Sequence, residues 1–217
     1  MVMPRPSRNV DAQLLAAGRE LYPRTGAAGL SVRKLAEHAG ANLGMFHYHF
    51  RNKDTFVRAL LQSLYEPMFA ELEVAASASR PPHVALRSAL CVIAYFVRDN
   101  RQLLRRLLAD ALDGERPAVE FVRDNFPRHV AVVVGLVGAG QRSGAFKPVP
   151  LVQAVSFIAG SVASPILLGS AALDAGLAPA ALAGPFETDV LSDHALGERI
   201  DLALAGLAAQ PASGAAL

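Results

Sequence analysis

The sequence predicts an all-α chain of about nine helices, and three observations carry that prediction. Apolar residues recur three and four apart along nearly the whole chain, a spacing that gathers them on one face of a helix. Small polar residues suited to helix starts stand before these runs, and Gly or Pro stands after them. No alternation of period two lasts long enough for a half-buried strand, and no internal repeat is present.

Taken in order, Met1–Arg8 is rich in Pro and Arg and reads as a mobile arm. Asn9 is placed to cap a first helix whose Val10, Leu14, Ala17 and Leu21 share a face, with Pro23 and Gly26 expected to end it. Ser31 can cap a second helix, with Leu30 stapled onto Leu35. Gly40 stops that helix, because glycine takes the left-handed C-terminal conformation without steric cost. Asn42 can cap a third helix from Leu43 to about Phe50, and Asn52 a fourth from Lys53. Along that long fourth helix Phe56, Leu60, Leu61, Leu64, Met68 and Leu72 share a side, and Pro67 is expected to kink or break it. After a loop over Ser77–Pro82, helices are predicted from Val84 to Asn100, Gln102 to Leu112 and about Pro117 to Arg142. An uncharged segment from about Pro150 to Leu173, a loop rich in Ala, Gly and Pro, and a last helix from Asp193 to Ala208 complete the chain.

Two short helices around a tight Gly turn, Leu30 to Lys53, form a helix-turn-helix pattern. Leu43, Met45, His47, Tyr48 and His49 crowd the second of them with more large groups than one buried face absorbs. Some must therefore face outward, where they can reach bases, sugars or phosphates. The alternative from pattern alone is a helical hairpin of a larger bundle with its basic residues on a solvated face. Charge favours nucleic acid. Residues 1–58 hold nine Arg and Lys against four Asp and Glu, while the rest of the chain is mildly acidic within a net charge of +2.

Residues Leu14–Tyr22, Gly26, Ser31–Ala36, Ala39–Gly40, Gly44–Phe50, Asn52–Asp54 and Phe56 resemble the N-terminal domain of the tetracycline-repressor-type (TetR) family of bacterial transcription regulators. The resemblance implies a DNA-binding domain over residues 1–56 and a ligand-binding and dimerisation domain over 57–217. It implies that Arg33 contacts a base, guanine being the best fit, and that Leu43, Gly44 and Met45 lie on the groove-facing turn. Asn42 beside them either bonds a base or caps the helix. His47, Tyr48, His49 and Lys53 match positions that mostly contact phosphates. His47 is a departure, since the family most often has Tyr there.

The family further implies a homodimer and a small-molecule inducer, largely apolar, held in a pocket. Its candidate lining residues are Tyr65, Met68, Phe69, Cys91, Tyr95, Phe96, Phe121 and Phe126. The run Gly140–Pro148 resembles the turn preceding the family's dimerisation helices. Candidate interface residues are Ser156, Ala159, Gly160, Ala163 and Ser164 on one helix, and Leu196, Ile200, Ala203, Leu204 and Leu207 on the last. The alternative is that these stripes pack within one chain.

Other chemistries find little in the sequence. Cys91 is the lone cysteine, which excludes an intramolecular disulfide or a Cys-based metal cage and fits a reducing cytosol. No apolar leader opens the chain. The 26 uncharged residues between Lys147 and Asp174 are long enough for a membrane span, but Gln153, Pro165 and four serines favour a buried helix. His129–Gly140 is β-branched and Gly-rich, yet the third Gly of a dinucleotide fingerprint is missing. His47 and His49 lie about 200° apart on a helix and cannot share a metal. Asp110, Asp113 and Glu115 read as a solvated corner. No cofactor and no enzymatic motif is predicted; the runner-up is an all-α ligand-binding or scaffold protein whose helix-turn-helix does not bind DNA.

Overall fold

The computed structural model describes residues 9–77 and 80–209, and the arm predicted over Met1–Arg8 lies outside them. Among the described residues the secondary structure is all helical, apart from one isolated bridge between Phe146 and Ala208. The helices are α1 Val10–Gly29, α2 Val32–His38, α3 Leu43–Phe50, α4 Lys53–Ala75, α5 Pro82–Asp99, α6 Arg101–Leu112 and α7 Arg116–Arg142. They continue with α8 Leu151–Ser164, a π-helical turn Pro165–Gly169, α9 Ser170–Asp174, the short α10 Ala183–Phe186 and α11 Asp193–Leu207.

The chain forms two compact units. One contains the chain through Pro67 together with Gln102–Phe126; the other contains Met68–Arg101 and everything from Pro127 onward. Two of the three divisions fall beside a proline inside a long helix, Pro67 in α4 and Pro127 in α7; the third falls at the start of α6, between Arg101 and Gln102.

In the first unit the core is Leu14, Tyr22, Leu35, Phe46, Phe56, Leu60 and Leu61, all nearly or fully buried. Phe46, Phe50 and Phe56 form an aromatic cluster with centroids 5.0–5.8 Å apart, which seats α3 on the start of α4. Gly18 lies against the Phe56 ring, with no room for a Cβ. Ion pairs Asp54–Arg116 (2.8 Å) and Arg58–Glu120 tie α4 to α7.

In the second unit α11 packs against α5 and α8. The turn after α7 is stapled to the end of α11. Lys147 N–H donates to the Leu207 carbonyl at 2.8 Å, Ala209 N–H to the Ala145 carbonyl at 3.0 Å, and Lys147 Nζ to the Gly206 carbonyl at 2.8 Å. Phe146 is buried there against Gly140, whose missing side chain leaves the space its ring fills. That contact gives the Gly140–Phe146 run its physical reason.

Several sequence expectations need correction. Asn9 stands at the start of α1, but its side chain makes no capping bond. Pro23 sits inside α1 without ending it; Gly26 interrupts the helix as expected (φ 64°, ψ −174°), in a conformation glycine alone takes easily, and a short helical stretch follows to Gly29. α4 continues through Pro67 without a break. The predicted loop before the last helix contains α10 and a π-helical turn at Glu187–Leu191, clamped by Arg101 to Glu187 at 3.5 Å and by Arg98 to the Leu191 carbonyl at 3.2 Å. His129–Gly140, by contrast, is helical as part of α7, in line with the helix predicted to Arg142.

The helical run Leu151–Asp174, uncharged as far as Leu173, is long and apolar enough by length and composition to cross a membrane, yet only 22% of its most apolar stretch is buried. It is not the buried helix expected, because neighbouring helices cover only its Ala154, Ile158, Val162 and Ile166 side.

Candidate nucleic-acid interface

The predicted capping chemistry shapes the head. Ser31 Oγ accepts from Lys34 N–H at 3.4 Å and Asn42 Oδ1 from Met45 N–H at 2.9 Å, so both short helices begin with a side-chain cap. Asn52 Oδ1 accepts from Thr55 N–H at 2.9 Å and starts α4. Between α2 and α3 the chain turns at Gly40 (φ 63°). Gly44 leaves Asn42 room to reach back, since a Cβ there would lie 3.2 Å from Asn42 Oδ1. Leu35, Ala36, Phe46 and Phe50 turn inward, and the opposite faces of α2 and α3 are left to solvent.

Those faces carry the predicted DNA-contacting residues. Arg33 is exposed and paired with Glu37 one turn on, Nε to Oε1 3.0 Å. Leu43 is 46% exposed and Tyr48 74%, while Gly44 and His47 are open and Met45 is half-buried. Asn42 is committed to its cap.

Two residues are more engaged than the sequence suggests. Lys53 Nζ donates to the Ala28 carbonyl at 2.9 Å and so ties the end of α1 to the start of α4. His49 lies edge-on to Tyr48, centroids 5.2 Å apart, and its Nε2 is enclosed without a partner. Only Nδ1 of His49 remains for a phosphate.

The corner expected at Asp110 is instead a buried knot, missed in the sequence. Asp110 is fully buried. Its Oδ2 accepts from the Tyr22 hydroxyl and from Ala27 N–H, both at 2.7 Å; its Oδ1 accepts from Arg106 Nε at 2.7 Å. The Gly26 break takes the Ala27 amide out of the helical ladder, and Arg106 passes over Gly26 where a side chain would block it. Burial, then the bond to Asp110, pushes the Tyr22 hydroxyl well above its ordinary pKa. The available signal was Asp110 falling in register with buried Leu103 and Leu107 on α6, with Arg106 one turn before it.

The candidate pocket residues are placed as follows. Tyr65 and Phe121 are buried in the first unit and meet edge to face at 5.9 Å, while Phe126 is 57% exposed. In the second unit Met68 is buried, and Phe69, Cys91, Tyr95 and Phe96 are half-buried, with Arg128 over the Phe69 ring at 4.0 Å. Burial raises the Cys91 thiol above its usual pKa. A cleft of about 530 Å³ in the second unit has none of these residues on its wall; His83, Arg87, Phe146 and Asp201 are among those that line it.

The interface candidates divide sharply. Ser156, Ala159 and Gly160 are exposed on α8, and Ala163 and Ser164 partly so. On α11, by contrast, Leu196, Ile200, Ala203 and Leu207 are buried within the chain and Leu204 is half-buried. These side chains form the seam of α11 with α5 and α8, so the outward side of α11 is Leu202, Ala205 and Gly206.

Residues 14–60 match the family of bacterial regulatory proteins described as the tetR family. The HTH-type transcriptional regulator TtgR of Pseudomonas putida is 38% identical over 55 residues, 25% of this chain and 26% of that protein. The class A tetracycline repressor protein from transposon 1721 of Escherichia coli is 43% identical over 58 residues, 27% of this chain and 25% of that protein. The matches thus span about a quarter of the curated relatives' length. Structural likeness reaches much further. The ketosteroid transcriptional regulator KstR2 of Mycobacterium tuberculosis superposes with a TM-score of 0.71 at 17% identity, over 97% of this chain and 100% of that one. A tetR-family regulatory protein from Rhodococcus RHA1 gives 0.70 at 16%, over 93% and 98%. At such identities the likeness establishes the fold.

Proposed function

We propose that the chain is a member of the TetR family, whose model its head matches over residues 14–60 and whose fold it shares, and that it is a sequence-specific DNA-binding transcription regulator. The supporting observation is the outward face of α2 and α3, where Arg33, Leu43, His47 and Tyr48 stand open on two rigidly capped helices. In the proposed complex α3 lies in the major groove. Arg33 exchanges Glu37 for a guanine edge, and Tyr48 with Lys53 contacts phosphates that set the register. Residues 1–56 are the proposed DNA-binding domain and 57–217 the proposed ligand-binding and dimerisation domain.

One short helix reads few base pairs, so the proposal requires a homodimer with heads about 34–36 Å apart. The exposed side of α8, with Val152, Ser156, Phe157, Ala159 and Gly160, is a mainly apolar surface suited to a second copy. Phe157 lies over Gly206 of α11, extending that surface onto the last helix. The proposed mode is repression in the cytoplasm, released by a small, largely apolar inducer. The inducer acts by differential affinity for head spacings that do and do not fit DNA.

Selection from a random-sequence duplex library, with sedimentation of the bound species, tests this reading. The expected product is a palindrome with half-sites one helical turn apart, bound by a dimer. A chain that enriches no sequence, or stays monomeric at micromolar concentration, sinks the proposal.

A further inference from the structure

We infer that operator binding by this chain is coupled to protonation of His47, so that the head takes up a proton as it docks. The inference rests on the DNA-binding reading above and concerns one contact within it.

The geometry at the end of α3 fixes the tautomer. His47 Nδ1 lies 3.0 Å from the Arg51 carbonyl oxygen. A carbonyl only accepts, so Nδ1 carries the hydrogen and, in the neutral ring, Nε2 carries a lone pair. The arrangement is built in. Arg51 is the one non-glycine among the described residues with positive φ, 60°, and its N–H donates back to the His47 carbonyl at 3.1 Å. His47 and Arg51 therefore close a reciprocal pair, ring to carbonyl and amide to carbonyl, at some cost in backbone strain.

The remaining nitrogen decides the chemistry. The His47 side chain is exposed on the proposed DNA face. A phosphate oxygen also only accepts, so it meets a neutral Nε2 acceptor to acceptor. Protonation turns Nε2 into a charged donor and reverses the sign of the contact. A tyrosine, which the resembling sequences most often carry at this position, donates at any pH near neutrality. The histidine makes the contact conditional.

In the free protein no carboxylate faces His47 as a partner among the described residues. Among the described residues it makes no ion pair; its other neighbour is the Phe46 ring, edge-on at 5.5 Å. The charged groups of the adjoining elements are committed or cationic. On α2, Arg33 pairs with Glu37, and His38 pairs with Glu20 of α1; Lys34 and, on α1, Arg24 add positive charge. At the start of α4, Lys53 bonds the Ala28 carbonyl and Asp54 pairs with Arg116. On α3 the other titratable groups are Tyr48 and His49. The approaching phosphate is thus the anion that draws the proton on.

The test is binding of a duplex recovered by random-sequence selection with wild type at pH 6, measured from pH 5.5 to 8.5 for wild type, His47→Tyr and His47→Gln. Circular dichroism establishes that both variants fold. Wild-type affinity should fall as pH rises, by up to about tenfold per pH unit for each head, the limit of one proton per contact. Both variants should be nearly flat across the range where histidine changes charge, about pH 5 to 8. The wild-type salt dependence should be steeper at pH 6 than at pH 8 by about 0.9 per head, one phosphate contact each. Equal pH slopes in all three proteins overturn the inference and leave the regulator reading intact. No specific binding by any of them at any pH overturns both.

Discussion

Two polar clusters in the same compact unit use their charges in opposite ways. On the faces of α2 and α3, Arg33, His47 and Tyr48 stand in solvent with partners that are weak or replaceable, such as the exposed Arg33–Glu37 pair. At Asp110 a carboxylate is buried with every partner supplied by the chain, and the residues it joins, Tyr22 and Ala27 against Arg106, lie far apart in sequence. An exposed i,i+4 ion pair contributes about 0.3–0.5 kcal/mol. Removing one member of a buried, hydrogen-bonded pair costs about 3–5 kcal/mol. The contrast teaches that the head keeps its charges available to a partner because its fold does not depend on them. The link from α1 to α6 is built around a buried charge.

The largest expected effect follows from breaking the buried cluster. Asp110→Ala leaves the Arg106 guanidinium, the Tyr22 hydroxyl and the Ala27 amide without their acceptor. It should lower stability by about 3–5 kcal/mol in urea unfolding; a loss below about 1 kcal/mol would show the cluster to be dispensable.

Tyr22→Phe removes one charge-assisted bond and should cost about 1.5–3 kcal/mol at neutral pH. This position also sets a pH dependence. The folded-state pKa of Tyr22 is raised, so its contribution is fully present below the unfolded value of about 10 and is lost as pH rises through and beyond it. Wild type should therefore lose stability above about pH 10 more steeply than Tyr22→Phe does. Parallel curves would separate Tyr22 from the alkaline transition.

How far these regions were legible in the sequence follows from where their information lies. The head was readable because its signals are local: Ser31, Gly40, Asn42 and Asn52 each act on the backbone within a few residues, and each behaves as expected. The bounds of α5, α6, α7 and α11 follow from apolar period and terminal Gly or Pro for the same reason. What was not legible depends on contacts between distant segments. Periodicity found the Leu196–Leu207 stripe of α11 but could not say whether the same chain or a second copy covers it, and the chain itself does. Asp110 read as a surface corner because two of its three partners, Tyr22 and Ala27, lie on α1, more than 80 residues away in sequence, and only Arg106 lies on its own helix. That Lys53 also ties α1 to α4 was not legible, because nothing nearby announces the Ala28 carbonyl, 25 residues away, to which it donates.

The most direct test of the contrast, and of the DNA-binding account, is one preparation of Arg33→Ala measured two ways beside wild type. Its urea stability should lie within about 0.5 kcal/mol of wild type. Its preference for the selected duplex over one with the guanine replaced should fall by about 1–3 kcal/mol. Undiminished discrimination at unchanged stability would contradict the account, because Arg33 would then stand open on that face without reading DNA.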